Sequence, residues 1–183
     1  MLFRPEHESA HHKTQADQQA ARRGDVRAFG RLVAAHREQI YALSYRILGD
    51  EQAAVEAAQA AVRLAVSHSA TLPVGEFQLW LWHWVVSACQ ARWRPAGAVH
   101  TGPGSATDAS IDHSLQSGLC HLPLELCLAL VLVDVTGLDF AQAATVLGAG
   151  REQVSGWVAE GRARLTLAPD RSTQAGSSAR VAG

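Results

Sequence analysis

Apolar residues recur at steps of three and four along the stretch Val26–Leu48, with polar residues between them. This spacing places the apolar side chains on one face, so it predicts an amphipathic helix of about six turns. Asp25 lies just before the stretch and predicts an N-cap, because its carboxylate can accept a backbone N–H of the first turn. Gly49 predicts the end of the helix, since glycine readily adopts the left-handed conformation that closes one.

Further helices are predicted downstream, and no stretch alternates apolar and polar residues as a half-buried strand would. They cover Glu51–Val66, Phe77–Trp93, Pro123–Val135, Phe140–Leu147 and Arg151–Leu167. The pattern therefore indicates an all-α fold.

The predicted helix Phe77–Trp93 is apolar on nearly all sides and contains four of the five tryptophans. One apolar stripe, which includes Leu81 and Trp84, is enough for a small core. A second stripe, which includes Trp82 and Val86, must also be covered. Another helix of the same lobe, a partner protein and nucleobases are the three alternatives for covering it.

The stretch 95–117 has almost no apolar periodicity and is rich in Gly, Pro, Ser and Thr. It predicts a flexible linker between two small helical lobes, a first at 17–94 and a second at 118–168, which are expected to move independently. The segments 1–16 and 169–183 are predicted to be disordered, because the first is rich in His and Glu and the second in Ser, Gly and Ala.

The composition favours a globular protein, and no cofactor is expected. A net charge of −1 over 183 residues is not the basic balance of a general nucleic-acid binder, although 20–50 carries an excess of Arg. Three cysteines without a CxxC pair predict neither a disulfide framework nor a zinc site, so we expect them to be reduced and mostly buried. No catalytic or metal-binding motif occurs in the sequence, so we expect neither enzymatic activity nor a metal site.

No apolar run approaches the roughly 20 residues that a membrane span needs. The first residues also lack the apolar core of a signal peptide. We therefore expect a cytoplasmic protein without membrane insertion.

The second lobe carries the pattern of a helix-turn-helix motif. Its helices Phe140–Leu147 and Arg151–Leu167 are joined by a turn that begins at Gly148. The second of these helices would enter the major groove of DNA. It carries Trp157 and Glu160 where a phosphate-binding surface would favour Lys or Arg, and a carboxylate repels phosphates. The motif thus predicts DNA binding, while these two residues argue against it.

Short motifs in both lobes resemble those of one family, the extracytoplasmic-function sigma factors. Those similar to region 2 of the family are Gly24-Asp25, Ala28-Phe29, Leu32, His36, Ile40-Tyr41, Arg46, Ile47-Leu48-Gly49-Asp50, Gln59, Trp80-Leu81 and Arg92. Those similar to region 4 are Leu122-Pro123, Gly137-Leu138, Phe140, Ala144, Leu147-Gly148, Val154 and Arg162-Ala163-Arg164-Leu165. Their order and spacing across Ala20–Leu167 carry the resemblance, since no single motif is specific.

The resemblance implies a sigma factor that binds core RNA polymerase and directs promoter-specific transcription initiation. The first lobe would bind the core and open the −10 element, and the second would read the −35 element. The implied core-polymerase-binding residues are Leu48, Asp50, Glu56 and Gln59. Those implied at the −10 element are Trp80, Trp82, Trp84, Arg92, Trp93 and Arg94, because aromatic faces can stack on extruded bases. Those implied at the −35 element are Arg151, Gln153, Ser155, Trp157, Arg162 and Arg164.

The expected partners are core RNA polymerase, promoter DNA and an anti-sigma factor. Alternatives remain for several of these residues, and Trp80 and Trp84 are more often core residues in such a pattern. The sequence also departs from the family pattern, with Val55 and Ala60 near the place of an acidic cluster. Two hypotheses follow: the second lobe reads an unusual promoter, or the protein is a sigma-like regulator that has lost DNA reading and acts through protein–protein contacts.

Overall fold

The computed structural model describes residues 5–73, 75–94, 116 and 118–167, with side chains from Thr14 onward. These residues form helices joined by short turns, and no strand occurs among them. The predicted all-α fold is confirmed. Most of the predicted linker 95–117 and the predicted disordered tail 169–183 lie outside the described residues.

In the part of the chain that the structure describes, five helices build the first lobe. They are α1 (Pro5–Arg22), α2 (Val26–Ala35), α3 (Arg37–Leu48), α4 (Glu51–Ser67) and α5 (Phe77–Gln90), with a short 3₁₀ turn over Ser69–Thr71. Helix α5 packs against α3 and α4, and α1 packs against α2. The first apolar stripe predicted for α5, which includes the fully buried Leu81, therefore faces the core of this lobe.

The predicted single helix Val26–Leu48 is wrong, because the chain breaks at His36 into α2 and α3. The His36 backbone N–H bonds to Val33 O at 3.0 Å, three residues back, which interrupts the α-helical ladder. Its ring Nδ1 lies 2.8 Å from Leu32 O, and the ring packs edge-on against Phe77. Asp25 and Gly49 cap the two ends as predicted, with Gly49 at φ +68°.

Helix α1 begins at Pro5, whereas the sequence predicts disorder up to residue 16. Contacts that are distant along the chain explain this difference. The Asp17 carboxylate accepts hydrogen bonds from Arg31 Nε at 3.2 Å and from Arg31 Nη2 at 2.5 Å, and Ala21 is buried. Packing against α2 supplies stability that the local sequence pattern does not reveal.

In the described residues, the second lobe begins with helical residues at 116 and 118–120, so it includes Gln116 from the predicted linker. Three longer helices follow. They are α6 (Leu124–Leu130), α7 (Phe140–Leu147) and α8 (Arg151–Leu167). The predicted helix Pro123–Val135 is partly wrong, because α6 gives way to a wider π-helical turn over Val131–Val135. Asp139 and Gln142 form a reciprocal capping box at the start of α7, and Gly148 ends it in the left-handed conformation.

The two lobes contact each other through α5 and α7. Trp82 and Val86, on the second apolar stripe of α5, are each 2 % exposed. The chain itself therefore covers that stripe, which answers the question that the apolar pattern of α5 leaves open.

Candidate functional site

The first candidate surface is a groove of about 710 Å³ between α2, the start of α3 and α4. Its lining is largely apolar, with Val33, Ile40, Val55 and Val62 among the lining residues. Its polar lining groups are Arg37, Glu38, Gln59 and Arg63, together with the Tyr41 hydroxyl. A groove of this composition suits the apolar face of an amphipathic helix.

The predicted core-polymerase-binding residues divide into two pairs. Gln59 lines the groove, and Glu56 is exposed three residues earlier on α4. Leu48 is 6 % exposed, and Asp50 caps α4 by accepting the Ala53 N–H at 2.7 Å. In this arrangement Leu48 and Asp50 have structural roles, whereas Glu56 and Gln59 remain accessible.

Glu56 also links the groove to the end of α5. Its carboxylate accepts a hydrogen bond from Gln52 at 3.0 Å and lies 4.0 Å from Arg92 Nε. Arg92 in turn donates to Ala88 O at 3.2 Å. A residue predicted to bind polymerase and one predicted to bind DNA are thus neighbours.

Two tryptophans of α5, Trp80 and Trp84, lie in an aromatic cluster that joins α2, α5 and the end of α4. Trp80 packs against Phe29 and Trp84, with ring centroids 6.3 and 6.1 Å apart respectively. His68 stacks on Trp84 at 4.2 Å. The rings cover parts of one another, and Trp80 and Trp84 are half-buried, so the cluster lies at the edge of the core.

The degree of burial differs from what the sequence pattern favours. Trp80 and Trp84, for which the pattern favours a core position, pack against the core but are only half-buried, while Trp82 is enclosed. Trp82 is therefore a correction to the predicted −10 contacts, since its ring cannot stack on a base without a rearrangement of the core. Trp93 is half-buried and Arg94 is exposed.

Helix α8 is the predicted DNA-reading helix. Its inward residues Val154, Val158 and Gly161 are buried, and its first turns expose Arg151, Gln153 and Ser155, while Trp157 is half-buried. A side chain at Gly161 would meet Leu130, because an added Cβ lies 2.7 Å from Leu130 Cδ1. Close packing on α6 thus fixes which side of α8 faces outward.

Two of the arginines predicted at the −35 element are paired with carboxylates. Arg162 donates to Asp134 through Nε at 3.0 Å and Nη2 at 2.5 Å. These hydrogen bonds, followed by the charge of Asp134, raise the pKa of Arg162 above its usual value. Arg164 Nη2 donates to Glu160 Oε1 at 2.6 Å. Glu160 therefore neutralises a neighbouring arginine, a role that the sequence pattern does not reveal.

The three cysteines are buried, as predicted. Within the described ranges, no three potential metal ligands lie close enough together to hold an ion. No helix of the described chain has the length and apolar character needed to cross a membrane.

Sequence reasoning missed a group of residues where the lobes meet. Gln116 and Cys127 of the second lobe contact backbone carbonyls at the end of α3, and His83 of α5 contacts Val146 of α7. These partners are separated by more than 60 residues along the chain. No local pattern marks them.

Comparison with known proteins identifies the family. No family model matches the chain. It is 31% identical over 170 residues to the ECF RNA polymerase sigma factor SigM of Mycobacterium tuberculosis, in both strain Erdman and strain H37Rv. The match covers 85% of this chain and 84% of the relative.

Two solved structures share the fold. CnrH in complex with the cytosolic domain of CnrY has a TM-score of 0.65 and 24% identity, covering 84% of this chain and 95% of that one. RpoE of Bartonella quintana, in complex with the anti-sigma factor NepR, has a TM-score of 0.62 and 17% identity, covering 77% and 96%. The similarity to SigM over most of both chains shows that the chain belongs to the extracytoplasmic-function RNA polymerase sigma factors.

Proposed function

We propose that this sigma factor binds core RNA polymerase through the groove between α2, α3 and α4, and directs initiation at specific promoters. It acts in the cytoplasm by binding and not by catalysis. The observation that carries the proposal is the open, largely apolar groove, which has Gln59 in its wall and the exposed Glu56 three residues away. An apolar helix face of the polymerase would fill the groove, and these two side chains would fix its position.

The half-buried tryptophans of α5 and the residues that follow this helix are proposed to open the −10 element. Trp80, Trp84 and Trp93 are each half-buried, and Arg92 and Arg94 follow the helix. Stacking of an extruded base on an aromatic face contributes about 1–3 kcal/mol. Trp82 is left out of this proposal because it is enclosed.

Helix α8 is proposed to read the −35 element through its exposed first turns. Arg151, Gln153 and Ser155 can donate or accept hydrogen bonds at base edges. Arg162 and Arg164 would contact phosphates after exchanging their carboxylate partners for the DNA backbone. This exchange lowers the net gain from each phosphate contact.

An anti-sigma factor is proposed as a further partner. Both CnrH and RpoE were solved in complexes, with the cytosolic domain of CnrY and with the anti-sigma factor NepR. An inhibitor that occupied the same groove would compete directly with the polymerase.

A pull-down of purified core RNA polymerase tests the groove. The variant is Glu56→Ala with Gln59→Ala, and the matched control is Glu76→Ala with Gln78→Ala, a Glu and a Gln that are also exposed but lie outside the groove. We expect wild type and control to retain the polymerase and the groove variant to lose at least about ten-fold in affinity, or roughly 1.4 kcal/mol. Equal binding by all three proteins would refute the groove as the binding site.

In vitro transcription tests the DNA half of the proposal. Core polymerase mixed with this protein should start transcription at discrete genomic sites that core alone does not use. Polymerase binding without such initiation would instead favour the sigma-like regulator that has lost DNA reading. The paired state of Arg162 and Arg164 is the feature that this second hypothesis would explain.

A further inference from the structure

Side chains of the second lobe complete the end of helix α3 in the first lobe. The last carbonyls of a helix have no N–H partner within it. Gln116 Nε2 donates to Tyr45 O at 3.2 Å and to Arg46 O at 3.0 Å. The Cys127 thiol points at Ile47 O, with 3.9 Å between sulfur and oxygen. Three consecutive carbonyls are thus contacted across the lobe boundary.

A close fit around Gly49 adds to this contact. Gly49 ends α3 at φ +68°, and a Cβ added there would lie 2.3 Å from Cys120 Sγ and 3.3 Å from Gln116 Nε2. Only glycine therefore leaves space for the second lobe at this point. We call Gly49, Gln116, Cys120, Cys127 and the end of α3 the joint.

A second contact supports the joint from the side of α5. His83 Nδ1 lies 3.0 Å from Val146 O, in the last turn of α7. Here, too, a side chain of one lobe satisfies a helix-terminal carbonyl of the other. The lobes are therefore held together at two places by specific polar contacts.

A sigma factor that contacts both promoter elements needs its lobes far apart. Elements at −10 and −35 are about 25 base pairs apart, or on the order of 85 Å of B-form DNA. A compact body of this chain length has a radius of gyration of only about 16 Å. The chain from Arg94 to Gln116 reaches on the order of 75 Å when extended, which is enough to let two lobes of finite size span the elements. The joint and simultaneous binding of both elements therefore exclude each other.

We infer that the joint is an autoinhibitory contact, which holds the sigma factor closed and must open before both promoter elements can be bound. The inference rests on the proposed function, because the closed joint is inhibitory only if the protein has to bind both promoter elements. The closed arrangement leaves Glu56 and Gln59 accessible while the second lobe covers Gly49. Polymerase can therefore meet the groove before the joint opens.

The cysteines report directly on the state of the joint. Cys120 is 7 % exposed and Cys127 is fully buried. Burial also raises the pKa of Cys127 to about 12, so the reactive thiolate is scarce in the closed protein. Opening of the joint would expose both thiols, and their alkylation would accelerate.

The test compares Gly49→Ala with Gly75→Ala in the full-length protein. Both glycines have positive φ, +68° and +84°, but nothing lies within 4 Å of a Cβ at Gly75. Both variants thus carry similar backbone strain, and only Gly49→Ala clashes with the second lobe. We expect Gly49→Ala to increase the alkylation rate of Cys127 and the promoter affinity by about ten-fold each, and to increase the radius of gyration. Gly75→Ala should match wild type in all three measurements.

Two further variants guard against a folding defect. Gly49→Ala combined with Cys120→Ala removes the sulfur that the new methyl group meets, and should return Cys127 alkylation toward the wild-type rate. Gln116→Ala removes two hydrogen bonds without backbone strain, and should also speed alkylation. Circular dichroism should show unchanged helix content in every variant.

The outcomes separate the inference from the proposed function. The inference is overturned if Gly49→Ala and Gln116→Ala alkylate as slowly as wild type, or if they open while promoter affinity stays constant. If no variant binds core polymerase or promoter DNA, the proposed function fails and the inhibitory role fails with it. Faster alkylation in that case would still establish that the joint closes the lobes.

Discussion

The second lobe meets its surroundings in two chemically different ways. Its inner side contacts the first lobe through an amide, thiols and apolar groups. Its outer helix α8 carries the ion pairs Arg162–Asp134 and Arg164–Glu160, in which the side chains are about one-third to one-half exposed. Salt screens exposed charges but leaves buried neutral contacts nearly unchanged. Changes in salt should therefore act on the ion pairs of the outer side, whereas alkaline pH should act on the buried thiol of the inner side.

The comparison also explains why α8 looks poor in DNA-binding residues. The helix does contain arginines, but Asp134 and Glu160 partly satisfy two of them within the protein. Phosphates must compete with these carboxylates. On the inner side, by contrast, the side chains of Gln116 and Cys127 contact backbone carbonyls of the first lobe and not charged groups.

The largest expected effect is a loss of stability at alkaline pH. Burial raises the pKa of Cys89 and Cys127 from 9.0 to about 12. The folded state keeps these protons while the unfolded state releases them near pH 9. The stabilisation is therefore complete below about pH 9 and is lost as pH rises toward 12, by up to about 1.4 kcal/mol per pH unit and thiol.

Urea unfolding at pH 8 and pH 10.5 measures this loss, with Cys127→Ala as the comparison. The variant can be less stable at pH 8, but its stability should fall less steeply with pH. An identical slope in both proteins would show that Cys127 ionises freely in the folded state, and would contradict a closed inner side.

The next effect concerns the packing that fixes the outward face of α8. Gly161→Ala should destabilise the protein by about 1–3 kcal/mol, because its methyl group would overlap Leu130. Gly156 is the matched control on the same helix, where a Cβ meets nothing within 4 Å. Gly156→Ala should stabilise by about 0.5–1 kcal/mol through helix propensity. Thermal unfolding of the pair gives opposite signs if α8 is oriented as described, and equal signs if it is not.

Much of the local structure could be predicted from the sequence, but little of the packing between distant segments could. Helix ends at Gly49 and Gly148 follow from the conformational freedom of glycine, so they were predictable. The break at His36 has no glycine or proline to mark it. Helix α1 depends on Asp17 and Arg31, which lie 14 residues apart.

The candidate sites show the same difference between local features and long-range packing. The resemblance pointed to Glu56, Gln59 and the exposed start of α8, because motif spacing survives in a sequence. Burial of Trp82, pairing of Arg162 with Asp134 and the contacts of Gln116 depend on how separate helices pack. Apolar periodicity reports which face of a helix is covered, but not what covers it.

A smaller effect is expected at the start of α7, the helix that joins the two sides of the lobe. Asp139 accepts the backbone N–H groups of Ala141 and Gln142 at 2.8 and 2.9 Å. Asp139→Ala should cost about 1 kcal/mol, whereas Asp139→Asn keeps a good N-cap and should cost little. Urea unfolding distinguishes the two variants. Equal stability of Asp139→Ala and wild type would mean that the capping box does not hold α7 in solution.

The smallest effect on stability, and the sharpest test of the outer side, comes from Glu160→Gln. The exposed Glu160–Arg164 pair contributes about 0–1 kcal/mol to stability, so the fold should hardly change. Without its carboxylate, Arg164 becomes available to a phosphate, so nonspecific DNA affinity should rise. The slope of log K against log salt should steepen by up to about one unit.

Fluorescence anisotropy with a labelled duplex, measured across a salt series, records both changes. The double variant Glu160→Gln with Arg164→Gln is the control, and should lose the gain because the freed cation is absent. Asp134→Asn should act in the same direction through Arg162, which places the two ion pairs on the same DNA-facing surface. If all three proteins bind with the wild-type slope, α8 does not face the DNA backbone, and the ion pairs serve only the surface of the second lobe.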